Sequence, residues 1–545
     1  MVIEQHARQA LYKPTSRVLQ EAIGGAHPIG AMASPHEYAV VDHEATRTEG
    51  VEPSSVLSYP ARNFGYLGLV PPNEIFLALM PDRPSLHAFV GGAQQIAQHY
   101  GFGQFEPVWG PDPLERVNGQ PPIDVFEVAL SQMIPDVAAQ IRAHFPTTTH
   151  FAAIQHANTQ EGRTLQARLG QEGIAMHSVY GPKPYEYPNF GDRSGFSDFA
   201  RRHGLPIPPA VVSHTREEMV TAYQQVAEQT GNPLIFMKLA GSGGGYGVQA
   251  VENAAQVETT YQQWDGYHMF GPINEGGQPI PVEFQGAIPA IVDICSFQYS
   301  HGYITTPQRR EARGTGPAFT RQMIHGTDWV GNGYGVELHI PPEHRADAER
   351  VIAEFQARFM DAAEQEMGAT AWKQATGGID FALVDLQTII ETQGIDAARN
   401  LMNDMWEIVY DEKRGQLTSK YAPVIIEHNG LRESDAKQAT VMAEALGLVE
   451  EGIPFAATKV MGIAADLPTV WQFMVEHGLE YNPETGEGMV PIAWIYDPEA
   501  KIFYANILVA SRNADTQEDL LEVRTRIIKQ LEEAGLVTKA AEQVE

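Results

Sequence analysis

The chain of 545 residues contains a single cysteine, Cys295. One thiol can form neither an intrachain disulfide nor a thiolate zinc cluster, and this economy fits a reducing compartment, so a cytoplasmic location is expected. Cys295 stands in Ile291-Val-Asp-Ile-Cys295-Ser-Phe, an apolar strand-like run. A catalytic thiol is the sharp reading of such a residue and a buried structural cysteine the plainer one. The first thirty residues hold no apolar leader segment, and no stretch approaches the about eighteen apolar residues that a membrane span needs. Cations are also scarce, with 37 Lys and Arg against 68 Asp and Glu, a net charge of −31 and a pI near 5.0. Affinity for nucleic acid or for an anionic membrane rests on basic residues, so neither is an expected partner, and the surplus negative charge serves solubility. There is no internal repeat, no low-complexity run and no heptad series. The P-loop pattern, in which a lysine follows the glycines and opens a helix, is missing too.

Against these absences, one segment stands out. Leu234-Ile-Phe-Met-Lys238-Leu-Ala ends an apolar run in a lysine and gives way to Gly241-Ser242-Gly243-Gly244-Gly245-Tyr-Gly247. Glycines without a Cβ let consecutive backbone N–H groups approach an anion, and a lysine at the strand end adds a point charge, so the segment suits phosphate. The same letters would also serve a tight surface hairpin. Far downstream, Gly377-Gly-Ile-Asp380-Phe-Ala-Leu-Val and Pro423-Val-Ile-Ile-Glu427-His-Asn429-Gly430 carry acids in strand-like runs. Side chains alternate along a strand, so Glu427 and Asn429 face one side, and Asp380 can join them from a neighbouring strand. Three oxygen ligands would then face one hollow, as Mg²⁺ prefers. Ordinary strand-end acids are the alternative for any one of them.

A lysine ahead of a glycine loop, with paired acids and an asparagine last, resembles the ATP-grasp superfamily of carboxylate–amine ligases over about residues 186–445. The stretch from Gly191 to Pro209, with Arg193 where many members have lysine, is similar to the family's entry helix and Gly-x-Pro turn. Arginine keeps the charge but presents a planar fork in place of a point. Pro279-Ile-Pro-Val-Glu283-Phe-Gln285 resembles the hinge strand between two lobes, near 279–287. The resemblance implies ATP between the lobes, with phosphates on Lys238, Arg193 and the loop of Gly241, Ser242, Gly243, Gly244, Gly245 and Gly247, and Glu283 toward adenosine. It also implies one or two Mg²⁺ ions, or Mn²⁺, on Asp380, Glu427 and Asn429. Arg432, just past the asparagine, is its candidate for transition-state charge, and Arg310 is a second candidate, read from the arginine run. Arg309, Arg310, Arg313 and Arg321 fall within thirteen residues of this acidic chain, which suits an anion, although a solvated loop with local ion pairs would look the same.

The expected fold is α/β and α+β, in three parts. Residues 1–185 form an N-terminal α/β domain of Rossmann-like kind, with a β–α–β alternation over about 151–179. Residues 186–445 form the two-lobed core, and 446–545 a small closing α/β module. A long amphipathic helix from about Pro342 to Gly368 is expected ahead of Asp380, and an inserted helix near Ile395–Tyr410 between the two acid strands. The closing module is similar to that of pheganomycin-type peptide ligases. The resemblance implies an ATP-dependent ligase that joins a small carboxylate, such as an amino acid, to an amine; a homodimer is the assembly expected. The alternatives are a biotin-type carboxylase component, and a non-catalytic ATP-binding protein on the same fold.

Overall fold

In the computed structural model the described residues are 12–30, 64–82, 84–110, 134–154, 160–182, 186–187, 190, 193–239, 248–266, 281–310, 316–325, 328–431, 435–497 and 502–538. Strands β1 (His27–Gly30), β2 (Ile75–Pro81), β3 (Gln104–Gly110), β4 (His150–Ile154) and β5 (Ala175–Ser178) form a parallel sheet ordered β3-β2-β1-β4-β5. The helices Pro84–Tyr100 and Gln160–Gln171 make its β2–β3 and β4–β5 crossovers. This is the doubly wound order expected of the N-terminal part.

A second, antiparallel sheet of β6 (Ala210–Ser213), β7 (Ile235–Leu239), β8 (Val248–Val251) and β9 (Val282–Gly286) is ordered β6-β9-β7-β8. One face, with Ile235, Met237, Leu239, Val282 and Phe284, packs on helix residues Met219, Val226 and Val257. The alternate residues Lys238, Glu283 and Gln285 therefore share the other face.

From β9 the chain passes into a nine-stranded sheet. Its members are β10 (Ile291–Ser300), β11 (Tyr303–Ile304), β12 (Thr320–His325), β13 (Asp328–Tyr334), β14 (Thr376–Asp385), β17 (Tyr421–His428), β18 (Phe455–Ile463), β19 (Glu487–Asp497) and β20 (Ile502–Ser511), with a small hairpin of β15 (Tyr410–Asp411) and β16 (Gln416–Leu417) inserted. The order is β17-β14-β10-β12-β13-β18-β20-β19, with β11 on β10. The β10–β11 turn uses His301 and Gly302 at φ 53° and 81°, the double positive φ of a type I′ hairpin. The long helix Pro342–Met367 lays Val351, Ile352, Phe355, Phe359 and Met360 against Phe297, Ile379 and Phe381, as its apolar stripe predicts. The insertion between the acid strands holds the helices Leu386–Gln393, Ile395–Met402 and Trp406–Val409, yet β14 and β17 pair directly.

The closing part departs from expectation. Its strands β18, β20 and β19 do not make a sheet of their own: β13 pairs with β18, so they continue the core sheet. The reason is non-local pairing, which strand composition does not reveal. This half of the sheet and the helix Asp435–Ala445 share one apolar core with the N-terminal sheet, through Tyr334, Phe455, Leu508, Met442 and Phe76. No helix among the described residues is long and apolar enough to cross a membrane.

Candidate active site

On the large sheet one face is apolar and helix-covered, while the other carries Ser296, Gln298, Thr320, Gln322 and Asp380. Asp380 lies directly opposite Glu427 on β17, and Phe381 opposite Ile425. The register slips by one residue between these pairs and leaves Ile426 outside the ladder. In an unbroken strand Glu427 would share the side of Ile425, which faces the buried helix. The bulge reverses that alternation and turns Glu427 to the side of Asp380. Beyond it, Asn429 donates from Nδ2 to Asp380 Oδ1 at 3.3 Å. His428, in between, goes back into the core, stacked 4.7 Å from Phe196. Its Nδ1 accepts the Gly430 N–H at 3.2 Å, so the ring proton sits on Nε2 and points to Tyr299 Oη at 2.7 Å. Gly430 then leaves the strand at φ 78°.

Lys238 is 3% exposed and reaches across from the small sheet. Its Nζ donates to Gln285 Oε1 at 2.7 Å and to the carbonyl of the bulged Ile426 at 2.9 Å. Gln285 Nε2 donates to the same carbonyl at 3.2 Å. The expected convergence of the early lysine and the late acids is therefore present, with the lysine ammonium one residue from Glu427.

Glu283 pairs with Lys238 in register and is 3% exposed, accepting from Ser197 Oγ at 2.6 Å. It is thus not a solvated strand-edge acid but ties β9 to the helix Arg193–Arg202, which Arg193 begins. The loop Gly241, Ser242, Gly243, Gly244, Gly245 and Gly247 lies outside the described residues, as does Arg432.

The arginine run is not gathered on one anion. Arg321 alternates with Gln322 and so faces the opposite side from Asp380, where Nε donates to the buried Asp293 Oδ1 at 3.0 Å and Nη1 to the Glu337 carbonyl at 3.1 Å. Arg309 turns inward to an ion pair with Glu349. Arg310 is exposed at the end of the described part of the loop, and Arg313 lies outside it. Cys295 is fully buried on the helix-facing side, and burial, then the nearby Asp293 charge, push its thiol well above the ordinary value. Such a thiol stays protonated, which removes the nucleophile reading.

Sequence reasoning missed Gln322, whose Nε2 donates to Asp380 Oδ1 at 2.6 Å, as well as Gln285, Ser197 and His428. Among the described residues no group of three or more His, Cys, Asp or Glu side chains is placed to hold a metal ion. The donor set of Asp380, Glu427 and Asn429 is all oxygen, with two carboxylates. That fits a hard cation such as Mg²⁺, which keeps water and phosphate as its remaining ligands.

By sequence, the chain matches no protein-family model and no curated protein. Some solved structures align with it over most of their length. One is the biotin carboxylase domain of 2-oxoglutarate carboxylase from Hydrogenobacter thermophilus, solved with MgADP and bicarbonate, at TM-score 0.45 and 13% identity over 92% of this chain and 90% of that one. Another is an N5-carboxyaminoimidazole ribonucleotide synthetase in complex with ADP, at TM-score 0.42 and 9% identity over 85% of this chain and 98% of that one. A third is phosphoribosylamine–glycine ligase from Thermotoga maritima, at TM-score 0.41 and 12% identity over 92% and 96%. At such identities and TM-scores the likeness carries no argument for this chain, whose chemistry rests on the residues above.

Proposed function

We propose that the chain is an ATP-dependent ligase of the ATP-grasp kind, which activates a small carboxylate and joins it to an amine. The observation that carries this reading is the bond from Lys238 Nζ to the Ile426 carbonyl at 2.9 Å, which brings the cation of one sheet beside the acids of the other. Lys238, Arg193 and the backbone of 241–247 bind the ATP phosphates, and Glu283 braces the adenosine side. Asp380, Glu427 and Asn429 would hold one or two Mg²⁺ ions, or Mn²⁺, which when bound offset the triphosphate charge.

The substrate carboxylate attacks the γ-phosphorus and ADP leaves. The acyl-phosphate so formed is then captured by an amine, with loss of phosphate. Positioning and charge stabilisation suffice for both steps, so no protein nucleophile is required. Arg432 and Arg310 are the proposed cations for the transition state. Amino acids and other small acids are the proposed substrates, in a cytoplasmic enzyme with a homodimer as the proposed assembly.

Incubation with Mg-ATP, pooled amino acids and small acids, and hydroxylamine as a trap should give ADP and an acyl hydroxamate identifiable by mass. Glu427→Ala should abolish the hydroxamate while the protein remains folded. Undiminished hydroxamate formation by that variant would refute the assignment.

A further inference from the structure

We propose that Gln322 is a positioning residue of the cation site, acting through Asp380; this deepens the reading above and rests on it. Gln322 and Asp380 belong to strands that are not neighbours, since β10 lies between β12 and β14. The gap is open because the β10 residue paired with Asp380 is Ser296, whose short side chain is turned to Thr320 Oγ1 at 2.9 Å. The Gln322 amide passes over it and donates from Nε2 to Asp380 Oδ1 at 2.6 Å. From the other flank Asn429 Nδ2 donates to the same oxygen at 3.3 Å.

Two donors from opposite strands thus fix the plane of the Asp380 carboxylate, and both spend themselves on Oδ1. Asn429 is fixed by the same contact, its N–H₂ toward Asp380. Both donors are neutral amides. An arginine or lysine in place of Gln322 would also orient Asp380, but it would cancel the negative charge that a divalent cation requires. A glutamine orients without neutralising, which is the role that outer partners of metal-binding carboxylates perform.

The test compares Gln322→Met, which keeps the side-chain volume and removes the donor, with Gln322→Glu, which also adds repulsion toward Asp380. Mn²⁺ binding in the presence of ADP, followed by electron paramagnetic resonance, reads the site independently of turnover. Melting in EDTA checks that each variant is folded. Loss of such an outer partner typically weakens metal affinity by about 10–100-fold, so Gln322→Met should bind Mn²⁺ about tenfold more weakly and Gln322→Glu more weakly still. Mn²⁺ affinity equal to the parent in a folded Gln322→Met variant, with Asp380→Asn impaired, would overturn the role of Gln322 alone. Mn²⁺ affinity unchanged in Asp380→Asn as well would overturn both this inference and the site on which it rests.

Discussion

Replacing Lys238 by Met keeps the reach of the side chain and deletes its charge, and the structure sets separate sizes for the two consequences. The Ile426 carbonyl would keep its bond from Gln285 Nε2 at 3.2 Å, whereas Gln285 Oε1, now 2.7 Å from Nζ, would lose this donor. A buried acceptor left without a donor costs about 1–3 kcal/mol. Relief from burying an ammonium that is 3% exposed offsets part of that cost. The net loss of stability should therefore stay below about 2 kcal/mol. Rate should suffer far more, because removing one preorganised donor aimed at developing charge typically lowers turnover by about 10²–10³. ADP release with the acid substrate and hydroxylamine measures the second effect, and urea unfolding the first. A stable Lys238→Met protein that turns over like the parent would show that Lys238 does not meet the nucleotide. A protein that unfolds outright would show that the cross-sheet contact is mainly structural.

Glu427→Gln keeps the shape of the clamp with one charge fewer, so it should raise the Mg²⁺ concentration needed for half-maximal turnover by at least about tenfold, as a metal titration would show; an unmoved midpoint would remove Glu427 from the site. Gly377 and Gly378 should respond differently to Ala. A Cβ at Gly377 would lie 2.5 Å from Tyr299 Oη and 2.7 Å from the Gly430 carbonyl, which is backbone, whereas the three atoms nearest one at Gly378 all belong to the Gln298 side-chain amide, the first at 2.5 Å. Gly377→Ala should therefore lose about 1–3 kcal/mol and Gly378→Ala less, in parallel denaturant melts; the reverse order would contradict the packing. His301 supplies a pH test. Its Nε2 lies 2.9 Å from the Val179 carbonyl, and burial, then the Lys437 charge, lower its pKa to about 4. A histidine depressed in the fold contributes stability that is present above its unfolded value, about 6.5, and lost as pH falls toward about 4. The parent should thus lose stability relative to His301→Gln by about 2–3 kcal/mol across that window, and parallel curves for the two proteins would refute the burial argument.

How much of this was legible in the sequence depended on the kind of letter involved. Lys238, Asp380 and Glu427 drew notice because charged residues inside apolar strands are rare enough to demand a reason, and Asn429 because it stands two places beyond Glu427 in the same alternation. The β–α–β order of the N-terminal part and the long helix at 342–367 were readable from periodicity. Gln322 and Gln285 were not, since an uncharged amide in a strand looks like any half-exposed polar position. Arg321 misled because its charge announces nothing about which face it takes; its neighbour Gln322 is the one turned to Asp380. The union of the closing strands with the core sheet depends on pairing between residues over a hundred positions apart, such as Gly331 with Thr458, and no local pattern encodes that.

The extra residue at Ile426 has a consequence for any relative of this chain. Delete one position between Ile425 and Glu427 and every letter that names the chemistry survives: lysine, aspartate, glutamate, asparagine. The ladder would then run unbulged with the glutamate still opposite Asp380, but the extra backbone carbonyl that Lys238 grips would be gone. Spacing at that spot, counted to the single residue, is thus a stricter criterion of a working centre than the presence of the acids themselves.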